Sequence, residues 1–162
     1  METRVITHQE LQKVSENARS LPRLRKNLNV HATLDASVQR LFNAMEPGTY
    51  IRPHRHARPN GWELMLAVHG RFAILLFDDQ GKVIDRFELS SGSGSVAVEI
   101  PAQAWHTVVS LESGTVMFEI KEGPYTPVED KDFACWTPQE AELRTPSFTT
   151  WLTAAVPGES PP

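Results

Sequence analysis

Between residues 38 and 121 the chain is a succession of short apolar-alternating segments, cut at close intervals by glycine, proline, serine and aspartate, with no helical stretch between them. This pattern constrains the fold more than any other feature. Segments of ~4–8 residues with period-two alternation and turn residues at their ends read as strands, and many of them in a row build an antiparallel sandwich or barrel. The expected strands cover residues 38–45, 50–56, 63–68, 71–77, 83–89, 96–100, 105–111 and 115–121. Glu46-Pro47-Gly48, His69-Gly70 and Glu112-Ser113-Gly114 turn the chain, residues 57–61 form a loop, and residues 90–95 are short and flexible. Asp78-Asp79-Gln80-Gly81 is a hairpin turn in which glycine supplies a positive φ.

The flanks differ. Thr7-His8-Gln9-Glu10 has the form of a capping box, in which hydroxyl and carboxylate satisfy each other's backbone donors. Leu11, Val14 and Ala18 follow at helical spacing and Pro22 ends the run, so a helix is expected over about residues 8–20. Arg23, Arg25 and Lys26 make a basic stretch before the strands. From Glu122 onward seven prolines interrupt any periodicity: 124, 127, 138, 146, 157, 161 and 162. An irregular wrap to about Trp136 is expected, then a short helix near residues 138–143, then fraying. The expected organisation is a helical segment over 1–22, a barrel over 23–136 and an irregular tail over 137–162.

A chain of 162 residues is one domain on the usual size prior. A net charge of -4 offers no basic face for nucleic acid. The single cysteine, Cys135, precludes an internal disulfide, fits a reducing compartment and reads as structural. The first residues, Met1 to Val5, show no apolar core of a signal peptide, and no run approaches the ~20 apolar residues of a membrane span. A cytoplasmic protein without membrane or nucleic-acid partners is expected.

Histidine is scarce, six in the chain, and three of the six join a glutamate across three of the strand segments. His54 and His56 form an H-x-H pair, which on an extended strand puts both imidazoles on one face. Glu63 opens the next apolar run and His106 lies on a third. Three neutral imidazoles and a carboxylate converging on one interior point suit a first-row divalent ion that keeps one or two open positions. A half-buried Glu63 between Trp62 and Leu64 would otherwise be costly without a partner. Alternation puts His106, Val108 and Ser110 on one face of their strand, and Glu63, Met65 and Ala67 on one face of theirs. His8 and His69 pair with no other ligand type and read as ordinary histidines.

These two segments resemble the paired sequence motifs of the cupin superfamily. Gly48, His54, His56, Glu63 and Gly70 match the first motif, with a longer gap between His56 and Glu63 than is usual. Pro101 and His106 match the second, with Gln103 where the motif has glycine and Ser110 where it often has asparagine. More narrowly, residues 22–29, 38–41, Pro53-His54-Arg55-His56, Trp105-His106-Thr107-Val108 and Gly123-Pro124-Tyr125 look like the WbuC family of cupin-fold metalloproteins. The resemblance implies an all-β cupin fold, a double-stranded β-helix or jelly-roll barrel, with one N-terminal helix and an irregular tail. It also implies one divalent transition metal ion on His54, His56, Glu63 and His106, with Zn, Fe, Ni and Mn all compatible. Cupins often pair through sheet edges, which implies a homodimer, and the WbuC family is associated with bacterial polysaccharide gene clusters.

Other residues are candidates for the pocket. Arg52 shares the parity of His54 and His56 and would recognise a carboxylate or phosphate bidentately; Arg40 and His31 are further substrate-binding candidates. Tyr50 has the same parity and is the candidate proton donor. Arg55 has the opposite parity, and Trp62, Trp105 and Trp136 read as core or interface aromatics. Together these point to a small metalloenzyme acting on a polar, sugar-linked or carboxylated metabolite, with isomerase, epimerase, lyase and dioxygenase chemistry all open. The alternative is a non-catalytic, metal-dependent small-molecule binding protein; a transcription factor ranks third.

Overall fold

The computed structural model describes residues 3–92, 94–127, 129 and 132–162. Met1 and Glu2 of the N-terminal reading, and Ser93 of the 90–95 loop, lie outside the described residues. In chain order the elements are α1 (His8–Ser20), β1 (Arg25–Asn29), β2 (Val38–Met45), β3 (Glu63–His69), β4 (Arg71–Phe77), β5 (Val83–Ser90), β6 (Ala97–Ile100), β7 (Trp105–Ser110), β8 (Thr115–Glu122) and α2 (Thr145–Ala154). The strands form a five-stranded sheet, β1-β2-β8-β3-β6, and a three-stranded sheet, β5-β4-β7. Every pairing within these two sheets is antiparallel. This is the mostly-β jelly-roll architecture that the sequence resemblance implies.

Four layers stack around three apolar clusters. Between the sheets, Met45, Met65, Phe72, Ile74, Leu89, Val108 and Met117 fill the barrel. Outside the three-stranded sheet, Phe148 and Leu152 of α2 pack on Ala73, Leu75, Phe77 and Val109. Outside the five-stranded sheet, Leu11 and Ala18 of α1 pack on Ala44 and Val116. Strand β4 therefore buries both faces, which is why Arg71-Phe-Ala-Ile-Leu-Leu-Phe77 reads as a near-continuous apolar run.

Four local expectations change. Residues 50–56 are not a regular strand; only His54 pairs there, as an isolated bridge to His106 and another to Phe133. Pro53 lacks the N–H that a ladder needs. Strand β1 occupies the stretch read as merely basic, and pairs with β2 from Arg25↔Met45 to Asn29↔Leu41. It is a polar edge strand whose Leu28 packs against the α1 cluster, so alternation shows little of it. The tail holds α2, later than the short helix expected near 138–143. Pro at its first turn costs nothing there, and Phe148, Trp151, Leu152 and Ala155 give it an apolar face. Cys135, expected as structural, is exposed.

The α1 helix begins as expected at Thr7, whose side chain accepts from the Glu10 N–H at 3.2 Å, while the Glu10 carboxylate turns to Arg4 at 3.4 Å. A buried carboxylate clips this helix to the barrel. Glu46, 5% exposed, accepts hydrogen bonds from Ser113 Oγ (2.6 Å), the Gly114 N–H (3.0 Å) and Arg19 (3.3 Å). Burial pushes its carboxyl up, but these partners outweigh burial and hold it below the ordinary carboxylate range. A lowered folded-state pKa contributes stability that is present above the unfolded value of ~4.3 and is lost as pH falls through the folded value. Glu46→Gln is expected to cost about 1.5–3 kcal/mol in urea unfolding at pH 7, and progressively less below about pH 4. An equal loss at both pH values would show that the charge is not what the clip uses.

No helix among the described residues is long and apolar enough to cross a membrane.

Candidate metal centre

The centre is assembled where an irregular segment meets the start of β7. The His54 N–H donates to His106 O at 3.0 Å and the His106 N–H donates back to His54 O at 2.9 Å. On the other side of the same segment, the Ala134 N–H donates to Pro53 O at 3.0 Å and the Arg55 N–H to Asp132 O at 3.0 Å. His54 is thus fixed opposite His106 without belonging to a strand. His56 is held by the turn ahead of β7, where the Gln103 N–H donates to His56 O at 3.0 Å. Gln103 has φ +69°, the left-handed conformation for which the motif's usual glycine is suited. The longer 57–62 loop folds back on His56: a Cβ added at Gly61 would lie 2.6 Å from His56 Cβ and 2.7 Å from His56 O. Glu63 opens β3 and is placed by its pairing with Ile100 and Lys121.

One ligand atom from each of His54, His56, Glu63 and His106 lies within 4.8 Å of the others. That is inside the ~6 Å expected from sequence, and near the roughly 4.4 Å that opposed ligands with bonds of ~2.2 Å would span. Histidine ring centroids are 4.5 Å (His54–His106), 5.2 Å (His54–His56) and 5.8 Å (His56–His106) apart.

The residues present fit a metal ion on three observations. The Nδ1 atoms of His54 and His106 each lie 3.0 Å from a backbone carbonyl, Arg52 O and Ala104 O, to which an Nδ1–H donates; this turns the Nε2 lone pairs inward. His56 Nε2 and His106 Nε2 approach Glu63 to 3.0 Å, yet both nitrogens and Glu63 Oε2 are buried without a hydrogen bond among the described residues. Finally, burial and then the neighbouring His106 push the His54 imidazole down to about 3, so it is neutral, as a ligand must be. Burial disfavours the charged form of His106, but Glu63 outweighs it and raises that group; Glu63 is held well below the usual range by His106, His56 and Lys121 against its own burial.

A cavity of about 170 Å³ adjoins the cluster, lined by His54, Glu63 and His106 together with Met65, Val108 and Met117. The interior parity read for His106 with Val108, and for Glu63 with Met65, is what the structure shows. Five polar residues outside the expected site also line it: Arg25, Asn27, Asn43, Glu119 and Lys121. Lys121 Nζ donates to Glu63 Oε1 at 2.9 Å and approaches Glu119 Oε1 to 2.5 Å, and Asn43 donates to Glu119 Oε2 at 2.6 Å. Burial raises the Glu119 carboxyl, while the two carboxylates outweigh burial and raise Lys121. The available signal was that Glu119 and Lys121 share the parity of Met117 on β8.

Four residues expected near the site lie elsewhere. The Arg52 guanidinium donates to Thr137 Oγ1 (3.0 Å) and Ala134 O (3.3 Å) and stacks 4.9 Å from the Phe133 centroid; it does not line the cavity. Parity misplaces it because the segment is not a strand. Tyr50 is buried against Phe148, donates to Pro138 O at 2.8 Å, and is pushed up to about 12 by burial. His31 and Arg40 meet each other in a separate cavity. Arg55, of opposite parity, stacks 4.4 Å from the Trp105 ring, as a residue facing away from the centre should.

A family described as "Domain of unknown function (DUF6016)" matches residues 6–89. A search of curated proteins finds no match. Among solved structures the chain is similar to KdgF from Halomonas sp., 21% identical over 66% of this chain and 85% of that one, with a TM-score of 0.50. It is also similar to a conserved protein of unknown function from Streptococcus pyogenes, 10% identical over 78% and 92%, with a TM-score of 0.51. A cupin superfamily protein from Desulfitobacterium hafniense is 15% identical over 60% and 76%, with a TM-score of 0.47. At these identities the likeness to KdgF and to the Streptococcus pyogenes protein is one of fold alone.

Proposed function

The chain belongs to the DUF6016 family, and we propose that it is a small metalloenzyme acting on a compact carboxylated or sugar-linked metabolite. The observation that carries this reading is the convergence of three imidazoles and a carboxylate, with ligand atoms within 4.8 Å of one another, beside a cavity. His54, His56, Glu63 and His106 would hold the ion. When bound, it supplies Lewis acidity toward a carbonyl or hydroxyl oxygen, or redox chemistry if it is iron.

The chain's own groups set what can enter. Lys121 orients Glu63 through their 2.9 Å hydrogen bond. A divalent ion, Lys121, Glu63 and Glu119 together leave one positive charge in excess, even with both carboxylates ionised. In a buried site that excess favours an anionic or oxygen-rich ligand. Met65, Val108 and Met117 give the same cavity an apolar lining. At about 170 Å³ the cavity is smaller than the ~300–1,000 Å³ typical of drug-sized ligands, so it suits a compact molecule or the reacting end of a longer one. The WbuC resemblance adds polysaccharide biosynthesis as the setting within this proposal, and the cupin resemblance and the sequence composition add a homodimer in the cytoplasm.

The test is a calorimetric panel of small carboxylates, sugar acids and their neutral amides against metal-loaded protein, with NMR of each mixture for turnover. Charged members are expected to bind at least about tenfold more tightly than their amides, and one to be converted. Val108→Phe, which fills the cavity wall, is expected to keep the metal and lose the ligand. Preference for the amides overturns the anionic reading; tight binding with no conversion of any ligand moves the protein to the non-catalytic alternative.

A further inference from the structure

A second set of chemistry-bearing residues lies outside the metal centre. A cavity of about 770 Å³ opens between the N-terminal segment, the end of β1 and the loop that follows it, lined by Thr3, Arg4, His31, Thr33 and Arg40 among others. It shares no lining residue with the metal cavity. None of its described lining residues is acidic.

His31 is 6% exposed, and its Nδ1 is engaged by the backbone of Arg40, whose N–H donates to it at 3.0 Å and whose O lies 2.9 Å away. Its Nε2 is buried without a hydrogen-bond partner among the described residues, and so is Arg40 Nε. Arg40 Nε is a donor in every state, since a guanidinium has no acceptor at all, and His31 Nε2 is a donor in the tautomer whose Nδ1 accepts from the Arg40 N–H. Arg4 adds a further cation at the rim, tied to Asn29 O at 2.9 Å and to Glu10 at 3.4 Å. Buried donors are rarely left unpaired in a native protein. Both residues line, together with a second arginine, a space large enough for a small metabolite. The complementary partner is a group that carries several acceptor oxygens and a negative charge, which guanidinium binds in fork geometry.

We infer that this cavity is a second ligand site, for the oxyanion group of a small phosphorylated or carboxylated metabolite. Binding there is independent of the metal, because the metal ligands line a different cavity. His31 and Arg40, expected from the sequence as substrate-binding residues of the metal pocket, line this cavity instead.

The experiment is a titration of ¹⁵N-labelled protein with inorganic phosphate and, separately, with acetate, at fixed ionic strength made up with chloride. Saturating amide shifts at residues 29–34 and 40 are expected with one or both anions, equal in metal-stripped and metal-loaded protein, and the anion that saturates names the group. Arg40→Met is expected to weaken binding at least about tenfold. Arg4→Gln, at an exposed position that threatens the fold least, is expected to weaken it severalfold and decides the matter if Arg40→Met does not fold. No saturating shift with either anion, shifts confined to the metal-ligand segments, or unchanged affinity in the folded variants overturns the inference.

Discussion

His106→Ala is expected to lower divalent-metal affinity more than about 100-fold, since loss of even an outer partner of a ligand costs ~10–100-fold. His106 is 2% exposed, its Nδ1 is pinned to Ala104 O, and its Nε2 is aimed at the same point as Glu63 Oε2. Nothing else among the described residues supplies that lone pair. Metal binding couples to folding, so the stabilisation that saturating metal gives the wild type, about 2.7 kcal/mol at a hundredfold excess over Kd, should largely vanish in the variant. Elemental analysis of protein purified without a metal-affinity tag, and unfolding with and without chelator, provide the measurement. Glu63→Gln, which keeps the shape and removes the charge, should fall in the same direction. Wild-type occupancy in both variants would refute the ligand set.

Lys121→Met is expected to destabilise the chelator-treated protein by about 3–5 kcal/mol. Lys121 is the ammonium between Glu63, 2% exposed, and Glu119, 6% exposed. Removing one member of a buried charge cluster leaves the others uncompensated, which costs more than the cluster itself contributes. Adding Glu119→Gln should recover part of the loss, and so should metal, which would neutralise Glu63. Urea unfolding of the single and double variants in chelator measures both effects. A loss below about 1 kcal/mol, or no recovery in the double variant, would show that Lys121 is not the counter-ion.

The sequence by itself determined most of the strands and the grouping of His54, His56, Glu63 and His106, because both are written in local chemistry. Strands β2 and β4 begin and end where alternation places them, and α1 runs from His8 to Ser20 as its cap and stop predict. His54, His56, Glu63 and His106 were legible because polar, ligand-type side chains stood at interior parity or at motif spacing. Tertiary structure decided the rest, wherever one segment's environment depends on another. Val116, Phe118 and Ile120 look like the core face of β8, but Val116 lies under α1 and Phe118 stacks on Phe42 at 4.6 Å, leaving Glu119 and Lys121 to the barrel interior. Period-two alternation cannot rank two faces that are both covered. Arg52 and Tyr50 were assigned by a parity that holds only along a regular strand, and Pro53 with the bridge at His54 breaks it. Helix α2 is fixed by its packing of Phe148 and Leu152 against the three-stranded sheet, a partner too distant in sequence for any local pattern to show.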